Sequence, residues 1–217
     1  MGGSTGERIG VFGGTFDPPH VGHVIAAVNV REALALHRIL MIPASIPWQK
    51  RDFRDISSAE DRLAMLHATV DGVEGLTVST IELERGGESY SADTLEALAP
   101  ANVPGAPDLF LIVGSDVASR LDTWKRPDVL RANSTIVVYA RPGSSAGEAP
   151  PAGWRHETVV VPQVDVSSSD IRRRVREGRP IDGLVAPAVA RHIRARGLYA
   201  TESRNAHDRQ QAPAVGA

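Results

Sequence analysis

Two histidines three residues apart, His20 and His23, close the run Gly13-Gly14-Thr15-Phe16-Asp17-Pro18-Pro19-His20-Val21-Gly22-His23. At the start of a helix, side chains with that spacing lie on roughly one face, so both imidazoles can donate hydrogen bonds to phosphate oxygens. Gly22 leaves room between them, and Gly13 and Gly14 let the backbone approach a ligand. A single histidine in a helix is commonly solvated or satisfied within the fold; the pairing sets these two apart. A metal site built on them needs a third protein ligand, and the only candidate nearby in sequence is Asp17. The segment is neither GxGxxG nor GxxxxGK[ST], so the dehydrogenase and P-loop readings lack their defining residues.

These residues need a strand that ends and a helix that begins. Arg8 to Gly13 reads as a short buried strand broken at Gly13-Gly14, and a helical pattern runs from Val21 to about His37. Ile39 to Pro43 reads as the next strand, which closes a βαβ unit. Beyond it, the periodicity predicts a helix over Ser58–Val70, a β-rich stretch over Leu76–Leu83, a helix over Ala92–Ala99 and an apolar strand over Leu109–Val113. Strands follow at Thr135–Tyr139 and Thr158–Val161, separated by a Gly-, Ser-, Ala- and Pro-rich loop from Arg141 to Gly153. Helices are predicted at Ser169–Glu177 and at Pro187–Arg196, the second ended by Gly197. The alternation predicts an α/β fold, a Rossmann-like parallel sheet flanked by helices on both faces, with a small C-terminal helical portion over about 166–200. In this reading 1–200 form a single domain and 201–217 a disordered tail.

In such a sheet, ligands collect beyond the carboxyl ends of the strands, and a helix N-terminus there attracts phosphate. Gly114-Ser115-Asp116 follows the apolar strand Leu109–Val113, so the Asp116 carboxylate belongs at that edge, where an acceptor suits ribose hydroxyls.

Composition narrows the chemistry. With no cysteine, disulfides, thiolate metal sites and cysteine nucleophiles are excluded. The formal net charge of −2 lacks the basic footprint of a nucleic-acid binder, and the arginines at 172–176 and 191–196 read as solvated helix faces. No apolar run is long enough to cross a bilayer, and Met1 to Glu7 does not resemble a signal segment, so a soluble, cytoplasmic protein is expected.

A second polar cluster stands far downstream, at Val166-Ser167-Ser168-Ser169-Asp170-Ile171-Arg172. Serines at a helix start supply caps and free amides, and Arg172, one turn in, can fork onto a polyphosphate; an ordinary capped helix is the plainer alternative. The two segments in this order resemble the HxGH nucleotidylyltransferase superfamily. GGTFDPPHxGH and a form of ISSTxIR together are similar to the bacterial nicotinate-nucleotide adenylyltransferase family, a likeness that extends over roughly residues 8–200.

The resemblance implies transfer of AMP from ATP to nicotinate mononucleotide, with His20, His23 and Arg172 as catalytic residues. It implies an ATP site at Gly13, Gly14, Thr15, Phe16, His20, Gly22, His23, Gly114, Asp116, Ser167, Ser168 and Arg172. Magnesium would arrive on the ATP phosphates without protein ligands. For the acceptor it implies Thr15, Lys50, Ser91, Trp124, Lys125 and Arg141. Lys50 ends Ile42-Pro43-Ala44-Ser45-Ile46-Pro47-Trp48-Gln49-Lys50, where the family usually has Pro-Pro-His-Lys, so Trp48 and Gln49 depart from the pattern. Ser89-Tyr90-Ser91-Ala92-Asp93-Thr94 is similar to the family's SYTxDT, with Ser91 in the usual Thr position. Trp124 matches an indole that stacks on the pyridine ring. A carboxylate held by backbone donors at Ser91 and Lys125 would be preferred to its amide analogue, whose NH2 group would face one donor.

Rival readings are a related transferase acting on nicotinamide mononucleotide or phosphopantetheine, and a nucleotide-sensing module without turnover. The sequence is silent on partners and leaves a homo-oligomer open.

Overall fold

The structure, a computed structural model, describes residues 6–46, 56–99, 103, 105–140 and 149–200. Six strands form one sheet: β1 (Arg8–Gly14), β2 (Arg38–Pro43), β3 (Leu76–Val78), β4 (Asp108–Gly114), β5 (Thr135–Ala140) and β6 (His156–Val160). Their spatial order is β3-β2-β1-β4-β5-β6 and every pairing is parallel. The order reverses between β1 and β4, which opens a crevice at their carboxyl ends.

The inner strands β1, β2, β4 and β5 are largely apolar because both faces of the sheet are covered there, whereas the edge strand β6 exposes most of its residues. On one face Ile9, Val11, Leu40, Ile42, Leu111 and Ile136 pack against α4 (Ser91–Leu98), α5 (Ser115–Ala118) and α6 (Pro127–Asn133) through Leu95, Ala118 and Leu130. On the other, Phe12, Ile39, Met41, Ile112 and Val137 meet Ala27 and Val30 of α1 (Val21–Ala33) and Leu66 of α2 (Ala59–Val70). Fully burying one such side chain contributes about 1.5–3 kcal/mol. A third cluster seats α7 (Ser168–Arg176) and α8 (Pro187–Arg196) on Met65 of α2 through Ile171, Val189 and Ile193. The α/β sheet with helices on both faces is therefore as the sequence indicates.

Three differences are informative. α1 stops at Ala33, short of His37, because Ala35 takes a left-handed φ of 47° and the Leu36 N–H closes back on the Arg31 carbonyl at 2.9 Å. His37 then leads into the β1–β2 ladder: its backbone N–H donates to the Arg8 carbonyl and its Nδ1 accepts from the Arg8 N–H, each at 2.9 Å.

The β-rich stretch over Leu76–Leu83 is strand only through Val78; after it the chain turns into α3 (Ile81–Arg85). There the buried Glu82 accepts a 2.7 Å hydrogen bond from Thr94 of α4. A tertiary bond overrides local β propensity. Short elements α5, α6 and the 3-10 turn Leu121–Thr123 lie in segments to which the sequence assigned no element. The expected tail 201–217 and most of the loop after Arg141 lie outside the described residues.

Candidate active site

β1 delivers the first motif to the crevice. Its last residues, Gly13 and Gly14, pair with Ile42 and Pro43 of β2, and beyond them the backbone folds tightly. Phe16 takes a left-handed φ of 50°, sparsely populated for non-glycine residues, and its ring turns into the core at 2 % exposure. A Cβ on Gly14 would sit 3.0 Å from that ring, so this close approach favours glycine. Phe16 therefore supports the loop through its inward ring, and the residue as a whole is buried.

His20 is the N-cap of α1 and His23 its third residue. The two rings stack with centroids 3.7 Å apart at 27°, and His23 packs edge-on against Phe16 at 5.0 Å. The His20 backbone N–H donates to His23 Nδ1 at 3.1 Å. That bond occupies the Nδ1 lone pair, so the other nitrogen, Nε2, is the donor in the neutral ring. A Cβ on Gly22 would lie 3.0 Å from His20 Nδ1 and 3.1 Å from Val166 Cγ1. Gly22 is thus one point of contact between the first motif and the second.

Side chains of the second motif land directly on the first. Arg172 Nη1 donates to the Asp17 carbonyl at 2.7 Å, and Ser168 Oγ donates to the Pro18 carbonyl at 2.8 Å. Ser167 caps α7 by accepting from the Asp170 N–H at 3.1 Å. His20, Gly22, His23, Val166 and Ser167 line one small pocket, together with Tyr139, Val161, Pro162 and Val164. The last four were not singled out from sequence; their signal is position, since they sit at or just beyond the carboxyl ends of β5 and β6. A wider cleft along β3 and the end of α2, lined by His67, Asp71 and Glu74, contains none of the predicted site residues.

Above β4, a Cβ on Gly114 would lie 2.5 Å from Asp116 Oδ1 and 3.3 Å from the Tyr139 hydroxyl. Asp116 is exposed at the strand edge, as its place after the apolar strand implies. On the other side of the crevice, Ser91 opens α4 and Trp124 follows the 3-10 turn, half-buried against the first core cluster. Lys125 Nζ sits 5.5 Å from the Tyr90 ring centroid, so the Trp124–Lys125 segment and the start of α4 are adjacent. Lys50 and Arg141 lie outside the described residues.

Two polar residues that sequence reasoning missed, Arg62 and Tyr199, hold these loops together with Asp17. Arg62 of α2, 2 % exposed, donates to the carbonyls of Thr15, Ala44, Ser45 and Ser57. Burial lowers its pKa while the nearby Asp17 opposes the shift; an arginine nonetheless stays charged. Asp17 is itself buried and accepts a 2.6 Å hydrogen bond from Tyr199 at the C-terminal end of the described chain. Burial, then the Asp17 carboxylate, push the Tyr199 hydroxyl well above the usual tyrosine range.

Among the described residues no group of three or more His, Cys, Asp or Glu side chains is placed to hold a metal. The site's donors are imidazoles, amides and a guanidinium, which suit anionic oxygens. No helix among the described residues is long and apolar enough to cross a membrane.

A Rossmann-like sheet with stacked imidazoles at the switch point and an arginine over the loop is the arrangement that the resemblance to the nucleotidylyltransferases implies. Residues 11–174 match the cytidylyltransferase-like family. A probable nicotinate-nucleotide adenylyltransferase of Gemmatimonas aurantiaca is 41% identical over 211 residues, 94% of this chain and 98% of that protein. One of the same name from Halalkalibacterium halodurans is 41% identical over 91% of this chain and 94% of its own length. In fold, the chain is similar to the Plasmodium falciparum nicotinic acid mononucleotide adenylyltransferase complexed with NaAD, with a TM-score of 0.70 at 16% identity, covering 89% of this chain and 97% of that one. The chain belongs to the cytidylyltransferase-like family and, within it, to the nicotinate-nucleotide adenylyltransferases.

Proposed function

We propose that this enzyme transfers AMP from ATP to nicotinate mononucleotide, giving nicotinate adenine dinucleotide and pyrophosphate, a step of NAD biosynthesis. The observation that carries the reading is the direct bonding of Arg172 and Ser168 onto the Asp17-Pro18 backbone, which joins two motifs 150 residues apart into one anion-binding surface. The names of the relatives support the choice of acceptor.

In this mechanism an oxygen of the acceptor phosphate forms a bond to the α-phosphorus of ATP. The bond to the α,β-bridging oxygen breaks, and its electron pair leaves with pyrophosphate. The attacking phosphate is already an anion near neutral pH, so no protein nucleophile is needed. The protein aligns two anions and neutralises the charge that develops between them. His23, whose Nε2 is the donor of its neutral ring, is assigned to the α-phosphate, with His20 stacked beside it. Arg172 is assigned to the polyphosphate, and Asp116 to ribose hydroxyls. Gly13, Gly14, Gly22, Gly114, Ser167 and Ser168 are assigned to close backbone or hydroxyl contact with ATP.

Magnesium is expected to enter with the triphosphate, where it supplies charge neutralisation; its preference for phosphate and water oxygens fits a site with few carboxylates. On the acceptor side we assign Thr15, Ser91, Trp124 and Lys125, with Lys50 and Arg141 by resemblance. We assign the reaction to the cytoplasm.

Pyrophosphate release tests this reading, with ATP and magnesium and with nicotinate mononucleotide, nicotinamide mononucleotide or phosphopantetheine offered in parallel. Highest kcat/KM for the nicotinate acceptor is expected. Preference for another acceptor would overturn the acceptor assignment and leave the transfer chemistry; ATP binding with no release from any acceptor would overturn both.

A further inference from the structure

Arg126 lies outside every motif, yet its backbone and side chain are both unusual. It is the N-cap of α6 with a left-handed φ of 54° and ψ of 60°, and Pro127 follows it. That region is sparsely populated for non-glycine residues, and a following proline disfavours helical backbone further. Something must hold it there. Its guanidinium reaches α4, where Nη1 lies 2.9 Å from Asp93 Oδ1 and 2.9 Å from Glu96 Oε2, and Nη2 lies 2.5 Å from Glu96 Oε1. Asp93 and Glu96, three residues apart, share one face of α4 and together take the guanidinium as a fork. Its neighbour Lys125 meanwhile rests over Tyr90, the N-cap of the same helix. Two consecutive side chains therefore fasten the segment carrying Trp124 and Lys125 to the turn that begins with Ser91.

We propose that Arg126 is a positioning residue for acceptor specificity: by tying its loop to α4 it fixes the distance between the backbone amides of Ser91 and Lys125. Two amides at a fixed spacing accept a carboxylate with both oxygens bonded. The corresponding carboxamide leaves one N–H facing its NH2 group. If the spacing relaxes, the amides adjust to either ligand and the discrimination narrows. The inference rests on the acceptor assignment above and adds the residue that sets its geometry. Arg126 touches neither substrate in this account.

The test is steady-state kinetics on Arg126→Gly, Arg126→Ala and Arg126→Lys, with nicotinate and nicotinamide mononucleotides as acceptors and ATP varied separately. Arg126→Gly keeps the left-handed turn accessible and removes the fork, so it separates backbone from side chain. It is expected to raise KM for nicotinate mononucleotide about tenfold and to cut the acid-to-amide ratio of kcat/KM by a similar factor, with KM for ATP unchanged. Arg126→Lys keeps the charge without the fork and should recover part of the ratio. Glu96→Gln should weaken the ratio from the other side of the joint. An acid-to-amide ratio unchanged in Arg126→Gly and Glu96→Gln overturns the role of Arg126. Equal rises in KM for ATP and acceptor also overturn it, since they indicate general loosening. A wild-type enzyme without acid preference overturns the acceptor assignment itself, whatever the variants do.

Discussion

The backbone of Asp17 and Pro18 is held by partly buried bonds to main chain, whereas the Trp124–Arg126 segment is held by ion pairs at the surface. At the first, Arg172 and Ser168 bond to main-chain carbonyls, and Tyr199 bonds to a carboxylate 1 % exposed. At the second, the fastening is an ion-pair fork whose three side chains are each at least 34% exposed. Partly buried bonds to backbone are less screened, while exposed ion pairs are worth little individually and weaken with salt. The half assigned to the shared phosphate chemistry is therefore rigid, and the spacing of the half assigned to the acceptor rests on a joint that a single substitution can loosen.

The largest effect that would sharpen this contrast is at His23. His23→Ala is expected to lower kcat by about a hundred- to a thousandfold, with the circular dichroism spectrum unchanged and the melting temperature lowered only by the loss of the bond from the His20 N–H. A folded and fully active variant would remove the rigid half from the chemistry. Next comes Tyr199→Phe, which leaves a buried carboxylate short of a partner; a loss of about 1–3 kcal/mol in urea unfolding is expected. No loss would mean that the Tyr199 bond carries none of the rigidity.

Asp61 offers a pH-resolved version of the same test. Burial raises its pKa, but hydrogen bonds from Ser58, Arg196 and His192 outweigh burial and hold it below the ordinary 3.8. A lowered folded pKa stabilises fully above the unfolded value and loses that stabilisation as pH falls through the folded one. Asp61→Asn should therefore destabilise by about 1–2 kcal/mol at neutral pH, and the difference from wild type should shrink in acid below pH 3.8. A gap that persists unchanged into acid would assign the effect to packing. The smallest expected change is in Glu96→Gln, under about 1 kcal/mol in unfolding free energy. A loss there as large as that of Tyr199→Phe would erase the difference between the two regions.

Much of the fold was legible because parallel strands covered on both faces must be apolar throughout, as Leu109–Val113 and Ile39–Pro43 are. The pairing of His20 with His23 and the serine cap before Arg172 were legible because local spacing specifies them. α3 was not, since its turn away from Val78 depends on Glu82 meeting Thr94 on another helix. The 3-10 turn and α6 were hidden for a similar reason: Arg126 adopts a backbone conformation its own residue type disfavours, held by carboxylates on α4.

Sequence alone determined the class of fold, the pair of imidazoles at the end of the first strand, and the absence of thiol chemistry. Only the tertiary structure decided that Arg172 bonds to the Asp17 carbonyl, that Arg62 gathers the carbonyls of Thr15, Ala44, Ser45 and Ser57, and that Tyr199 reaches back to Asp17. The physical reason is that every residue offers a carbonyl oxygen, so nothing in the local sequence marks which ones a distant side chain will meet. That choice is made by the path of the chain around the sheet.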